Sequence, residues 1–356
     1  DIVRLILDNA SVTNSTGPAF YAENGQVSVY LADGTENTFI SGTKTATSKD
    51  ASDDDATGGA MVFKDDAVIS GNGTLNISGY INNGLHASDS LYIYSGNILS
   101  SAVKHAVKVN DTFYIEGGSL DLTSGQDGIH CEDSAVISGG TLTVNACDDG
   151  IHAENSVVVN AGTIDIVRSN EGIEGRQITV NNGEIFIVSS DDGFNANGSS
   201  GGNGFGGFGG NGQKEGKNGF GRDKKGGSPD TDNSLQTPGS TDEESTSLMP
   251  CLTINGGTIT ATGSRYAAAI GSSYNGNCGP ITISGGAITA TGGEWATVIG
   301  SGENGTCGDI TITNTVSALQ LTKGDRAPNS IGSGDDATCG TVTVCGVAGE
   351  IAESPY

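Results

Sequence analysis

Carboxylates recur in this chain at a regular interval. Asp127, Asp149, Glu171 and Asp192 are separated by 22, 22 and 21 residues, and Gln126, Asp148, Asn170 and Asp191 stand immediately before them. Three positions after each carboxylate comes another polar residue, in a series that reads His86, Lys108, His130, His152, Glu174, Asn195. Glu132 and Glu154 follow two residues later. Carboxylates, amides and turn carbonyls are hard oxygen donors, which suit a calcium ion with its 6–8 ligands in flexible geometry. If these residues stack, their like charges repel unless a cation neutralises them. The metal-ligand candidates are therefore Asp127, Asp148, Asp149, Asn170, Glu171, Asp191 and Asp192, with Ca2+ as the cofactor. The competing reading is a solvated acidic face. For Asp50, Asp53, Asp54 and Asp55 the two readings are balanced, because Asp-rich loops are often only solubilising.

Zinc on His86, His130 and His152 is a weaker expectation, since Lys108 and Glu174 flank the pair His130/His152 and offer no third nitrogen or sulfur ligand. Exposed imidazoles that stack on one another or on a sugar are the simpler expectation. Of the bases near the acidic columns (Lys104, Lys108, Arg168, Arg176), Arg176 lies 22 residues after Glu154. His130, His152, Lys108, Glu154 and Arg176 are the glycan-binding candidates. The seven cysteines show no metal-type pair spacing. Cys278, Cys307 and Cys339 each precede an apolar triplet by three residues and form a column. They are expected to be free thiols, as is Cys131 at an inward position; Cys251 and Cys278 are the first pair to suspect of bridging.

The element that places these residues is a repeat. Gly84-Leu85-His86-Ala87, Ala106-Val107-Lys108-Val109, Gly128-Ile129-His130-Cys131, Gly150-Ile151-His152-Ala153, Gly172-Ile173-Glu174-Gly175 and Gly193-Phe194-Asn195-Ala196 align at steps of 22 and once 21. In each unit a second apolar pair follows, such as Val157 and Val159. A Gly turn and a third pair, such as Ile164 and Ile166, complete it. Period-2 alternation marks short strands with one buried face. Three such strands in 22 residues, with no helical stretch, predict one rung of a parallel β-helix, whose core exists only when rungs stack. A propeller blade is too long a unit, and a leucine-rich repeat would carry a convex segment.

Ala19-Phe20-Tyr21-Ala22 and Ala60-Met61-Val62-Phe63 occupy the same position further upstream, so residues 1–197 read as one solenoid block. Residues 198–247 break the pattern, with 14 glycines among residues 198–227, and read as a disordered Gly/Ser-rich insertion. From 248 to 356 the pattern resumes. Ile270-Gly271-Ser272, Ile299-Gly300-Ser301 and Ile331-Gly332-Ser333 are spaced 29 and 32. This second block either continues the first or packs beside it.

Composition narrows the function. The chain is 356 residues with net charge −26, which excludes a nucleic-acid partner by repulsion. No apolar run is long enough to span a membrane. A chain that opens at Asp1 without Met or a leader is expected of a processed or trimmed secreted protein.

The stretch SGQDGIHCEDSAVISGGTLTVNACDDGIHAENSVVV, with the tract ending SSDDGFNAN, resembles a bacterial family of carbohydrate-binding domain-containing proteins. The resemblance covers about residues 1–197. It implies an all-β, right-handed parallel β-helix similar to pectate lyases, an extracellular or cell-surface location, calcium, and attachment to plant-type or acidic polysaccharides. The expected function is a calcium-dependent, non-catalytic polysaccharide-binding protein. A calcium-dependent lyase, using a base such as Arg176, is the alternative. A structural adhesin or self-associating filament subunit is the third.

Overall fold

The computed structural model describes residues 2–42, 58–197 and 250–353. The Asp50–Asp55 cluster and the Gly-rich tract 198–247 lie outside the described residues. Those that are described form an all-β molecule of short strands, parallel except for the final antiparallel pair Val342–Val344 and Val347–Ala348, with no helix among them.

Three parallel ladders run along the stack. The first is built from the tetrads: Phe20–Ala22, Gly59–Phe63, Asn83–Ala87, Val107–Val109 and Ile129–Cys131 pair in succession with the starts of Ile151–Val159 and Ile173–Val180. The second contains the next apolar pair of each unit, as in Ala135↔Val157↔Ile178. Ile151–Val159 and Ile173–Val180 are long enough to belong to both. The third ladder carries the last pair, as in Leu142↔Ile164↔Ile185. Inward residues Leu85, Val107, Ile129, Ile151, Ile173 and Phe194 are all essentially buried and belong to one continuous apolar core. No single rung could hide these side chains; each is covered by its neighbours above and below.

The C-terminal block continues this stack. Ile173–Val180 pairs with Cys251–Ile254, Glu184–Ser189 with Thr258–Thr262, and Phe194–Asn195 with Ile270–Gly271. The Ile-Gly-Ser motif is therefore the tetrad's successor. An amide ladder also crosses the join: Asn181 donates to Asn160 at 2.8 Å, Asn255 to Asn181 at 2.9 Å and Ser284 to Asn255 at 2.8 Å. Rungs lengthen here because each carries an additional turn. Its apex residue, Asn275, Asn304 or Asp336, has φ of 54°, 56° or 49°. These left-handed positions suit Asn and Asp, which tolerate them best after glycine.

After each turn comes a two-residue strand, and the pairing Cys278↔Cys307↔Cys339 makes a small extra ladder. All seven cysteines are free thiols and Cys131 is fully buried. Thiol titration in denaturant should recover seven per chain; a count short by pairs would contradict this arrangement.

Candidate functional site

The acidic residues gather at the turn that enters the first ladder. Close packing between rungs places them there. A Cβ on Gly150 would lie 2.6 Å from the Gly172 carbonyl oxygen and 2.6 Å from Ile166 Cδ1; one on Gly172 would lie 2.3 Å from the Gly193 oxygen. The tetrad glycine thus lets each turn settle on the next, with its acidic residue drawn in. Backbone bonds fix the stack: Gly128 N–H donates to Asp149 O, Gly150 N–H to Glu171 O and Gly172 N–H to Asp192 O, each at 2.9 Å.

The columns are not the solvated face that period alone suggests. Asp127, Asp149 and Asp192 are buried, Glu171 is half-buried, and the preceding residue is exposed at Asp148 and half-buried at Asn170 and Asp191. The histidine column is likewise drawn in. His86 and Asn195 are buried at 1% exposure, while His130 and His152 keep 18% of their side chains accessible. Val62, the ladder partner of His86, is also buried, so these two strands are covered on both faces.

One cluster centres on Asp127. Its Oδ2 lies 2.7 Å from His130 Nδ1 and 3.2 Å from His105 Nδ1. Burial works to raise the Asp127 pKa, but hydrogen bonds from the two imidazoles overcome it and hold the carboxyl below the usual range. Burial also lowers the pKa of His105 in spite of Asp127. The sequence reading overlooked His105, although it precedes its tetrad as Asp127 precedes the next and was visible in the same alignment. Its proximity supplies the third ligand that zinc lacked. The rings also touch one another: His105 and His130 lie 4.4 Å apart, tilted by 32°, and His130 and His152 stack at 5.0 Å and 5°. The Nδ1 atoms of His105 and His130 both face Asp127 Oδ2, so the carboxylate already occupies the point on which the two rings converge.

A second cluster is made of oxygens alone. Carboxylate atoms of Asp127, Asp148 and Asp149 lie within 4.8 Å of one another, and Asp149 N–H donates to Asp127 Oδ1 at 3.1 Å. A third joins His152 Nδ1 to Asp149 at 3.1 Å and Glu174 at 2.9 Å. Burial opposes a charge on His152, but hydrogen bonds to both carboxylates push its pKa up to about 12. Burial and the nearby charges of Glu174 and Asp127 raise Asp149 well above the carboxylate range. Burial likewise acts to raise Glu174, yet its hydrogen bond with His152 leaves it lowered.

Further along, Glu171 and Asp192 do not close into a triad with a third ligand among the described residues. Glu171 accepts from Asn195 Nδ2 at 3.1 Å. Both Asp192 carboxylate oxygens are buried without a well-formed hydrogen bond, the Ala268 N–H being the backbone donor that faces them. Burial, followed by repulsion from Asp191, raises the Asp192 pKa strongly, and burial with Glu174 brings Asp191 to about 6. The all-oxygen group Asp127, Asp148 and Asp149, with the under-satisfied Asp192 further along, is a donor set that fits calcium.

Beside the third cluster, His152, Ala153, Glu154, Glu174, Gly175, Arg176 and Asn197 line a pocket of about 90 Å³. Glu154 lies 3.5 Å from His152 Nε2, and Lys108 Nζ 3.2 Å from Glu132. Arg176 forms no ion pair among the described residues, and its buried Nε has no acceptor. Of the glycan candidates, His152, Glu154 and Arg176 thus share one pocket, while His130 and Lys108 lie on the neighbouring rungs.

Comparison with known proteins adds the family. The model of the carbohydrate-binding domain-containing protein family matches residues 1–208. This chain belongs to that family. A relative so described from Acetivibrio thermocellus is 32% identical over 99 residues, 28% of this chain and 34% of the relative. The match thus spans about a third of that relative's length. Among solved structures, the polysaccharide lyase-like protein from C. thermocellum, a gadolinium derivative, is similar at 28% identity. It covers 52% of this chain and 72% of its own, with a TM-score of 0.42. The family-matched residues contain every cluster described above. Among the described residues no helix is long and apolar enough to cross a membrane.

Proposed function

We propose that this chain is a calcium-dependent, non-catalytic polysaccharide-binding protein of the extracellular space or cell surface, and that acidic, plant-type chains are its ligands. In this reading the solenoid is a right-handed parallel β-helix. Residues 1–197 form the glycan-binding part, 198–247 an insertion, and 248–356 further rungs. Asp127, Asp148, Asp149, Asn170, Glu171, Asp191 and Asp192 are the residues that would hold calcium. Calcium there would take the place of the protons that burial favours on Asp149, Glu171 and Asp192, and would leave coordination positions for a uronate oxygen.

The observation that carries the proposal is Arg176: a guanidinium in the wall of a pocket shared with His152 and Asn197, with an Nε that has no acceptor. Lys108, His130, His152 and Glu154 extend that contact along neighbouring rungs. Charge-assisted bonds of this kind are worth about 1.5–3 kcal/mol. Affinity electrophoresis through polygalacturonate with calcium should therefore retard the wild type. Arg176→Ala should bind roughly 10–100-fold more weakly. Chelator should abolish the retardation in both. Equal retardation of wild type and variant, or none for either, would reject the proposal.

The same arginine between Glu154 and Glu174 favours one second reading, a lyase in which Arg176 takes the C5 proton of the uronate. Accumulation of unsaturated product during the binding experiment would select that reading instead.

A further inference from the structure

Beyond the family-matched residues, the C-terminal rungs carry a face of a different chemistry. Their three basic residues, Arg265, Lys323 and Arg326, all lie in the turns that enter the first ladder. Neighbouring turns are stitched by backbone bonds: Trp295 N–H donates to Arg265 O at 3.0 Å and Arg326 N–H to Glu294 O at 3.0 Å. Tyr266, Trp295 and Arg326 thereby stand in one column, with Arg265 and Glu294 beside them. The second turn of each rung joins on, because Glu303 N–H donates to Tyr266 O and Asp335 N–H to Trp295 O, both at 2.9 Å.

Side chains lock this face. Glu294 accepts from Arg265 Nε at 2.9 Å and from Arg326 Nε at 3.2 Å. The Arg326 guanidinium lies 4.4 Å from the centre of the Trp295 ring and that of Arg265 lies 5.1 Å from Tyr266. Tyr266 and Tyr274 pack at 5.6 Å yet remain 37% and 48% exposed. With Val347 they are the large apolar side chains exposed in the described C-terminal rungs. Two polar atoms stay buried there without partners: Trp295 Nε1 and Glu303 Oε2.

We propose that this face is a second glycan-binding site, distinct from the acidic turns, and that it takes neutral pyranose chains. A pyranose presents a slightly positive C–H face to the negative face of an aromatic ring and hydroxyls to directional polar groups around it. Here the tyrosines supply the ring faces; Arg265, Arg326 and Glu294 supply held donors and acceptors. The cations do not favour a uronate: both guanidinium Nε atoms are bound to Glu294, and Asp325, Glu303 and Asp335 sit close by. Two exposed rings are also too little apolar surface for a stable protein interface.

The chain has one tryptophan, Trp295, so its emission reports on this face alone. The test titrates the full chain with hexasaccharides of β-1,4-glucose, β-1,4-mannose and β-1,3-glucose, and with a hexagalacturonate. Saturable change of tryptophan emission with a neutral hexasaccharide is expected, weakened roughly tenfold or more in Tyr266→Ala and Tyr274→Ala. Both variants should keep the wild-type melting midpoint. Arg176→Ala should leave the neutral titration unchanged, so this site and the one proposed above stand or fall separately. No emission change with any neutral hexasaccharide overturns the proposal. So do equal affinities in the tyrosine variants, a stronger response to the hexagalacturonate, and self-association lost in those variants.

Discussion

Moving the protein from chelator into excess calcium is expected to raise its thermal midpoint by roughly 3–5 °C. The estimate combines about 2.7 kcal/mol at a hundredfold excess over Kd with roughly 1.3–1.7 °C per kcal/mol, from an unfolding entropy of about 2.1 cal/mol/K per ordered residue. The gain comes from the acidic turns. Asp127, Asp148 and Asp149 bring three carboxylates within 4.8 Å, and without a cation their repulsion is relieved only by protonation or the histidines. Asp149→Ala should remove most of the calcium response. The effect should also depend on pH with a definite sign. Asp191 is held at about 6, and Asp149, Glu171 and Asp192 are pushed up, all chiefly by burial. A carboxyl with a raised folded-state pKa contributes stability that is present below its unfolded value and lost as pH rises through the folded one. In chelator, stability should therefore fall between about pH 4 and 6. Asp127 and Glu174, whose carboxyls are held down by the histidines, act with the opposite sign at the acid end, and His152, raised to about 12, loses its contribution on the alkaline side. Calcium must displace the protons, so its stabilising effect should grow over the same range. A wild-type midpoint indifferent to calcium at neutral pH would refute the metal assignment.

Gly150→Val is expected to cost at least about 1–3 kcal/mol, and with it the glycan response. The added Cβ would meet the Gly172 carbonyl oxygen and Ile166 Cδ1, both at 2.6 Å. Neither can retreat, since Gly172 is bonded into the next turn and Ile166 is fully buried. Rungs must separate locally, which displaces Asp149 and His152 on either side of position 150. Position 106 offers a control, because an alanine already stands there in the tetrad. Ala106→Gly should cost about 1–2 kcal/mol through its lost buried methyl and added chain entropy, yet keep the polygalacturonate retardation because nothing pushes the rungs apart. Thermal melts of the two variants, with polygalacturonate retardation alongside, test the pair. A wild-type melt for Gly150→Val would show that rung contact does not position the site.

What the sequence determined by itself is the periodic part of the molecule. A 22-residue step with period-2 apolar pairs is a local pattern, and a stacked solenoid satisfies it by repeating the same contacts. Hence the tetrads, their inward residues and the acidic columns all emerge at their expected register. The tyrosine and arginine face of the C-terminal rungs escaped notice because no single rung repeats it: Tyr266, Trp295 and Arg326 share a column only once the turns are bonded together. The join of the two blocks was equally invisible, since a long non-repeating tract separates Asn181 from Asn255, which then meet across 2.9 Å. Burial was the other quantity that only tertiary structure decided. Alternation says which way a side chain leaves its strand, not what closes over it. Asp127, Asp149, Asp192 and His86 leave the strand or turn as the pattern indicates and are covered nonetheless. Whether a carboxylate is solvated or held in a low-dielectric turn depends on the neighbouring rungs, and that difference separates an acidic surface from a site that fits a cation.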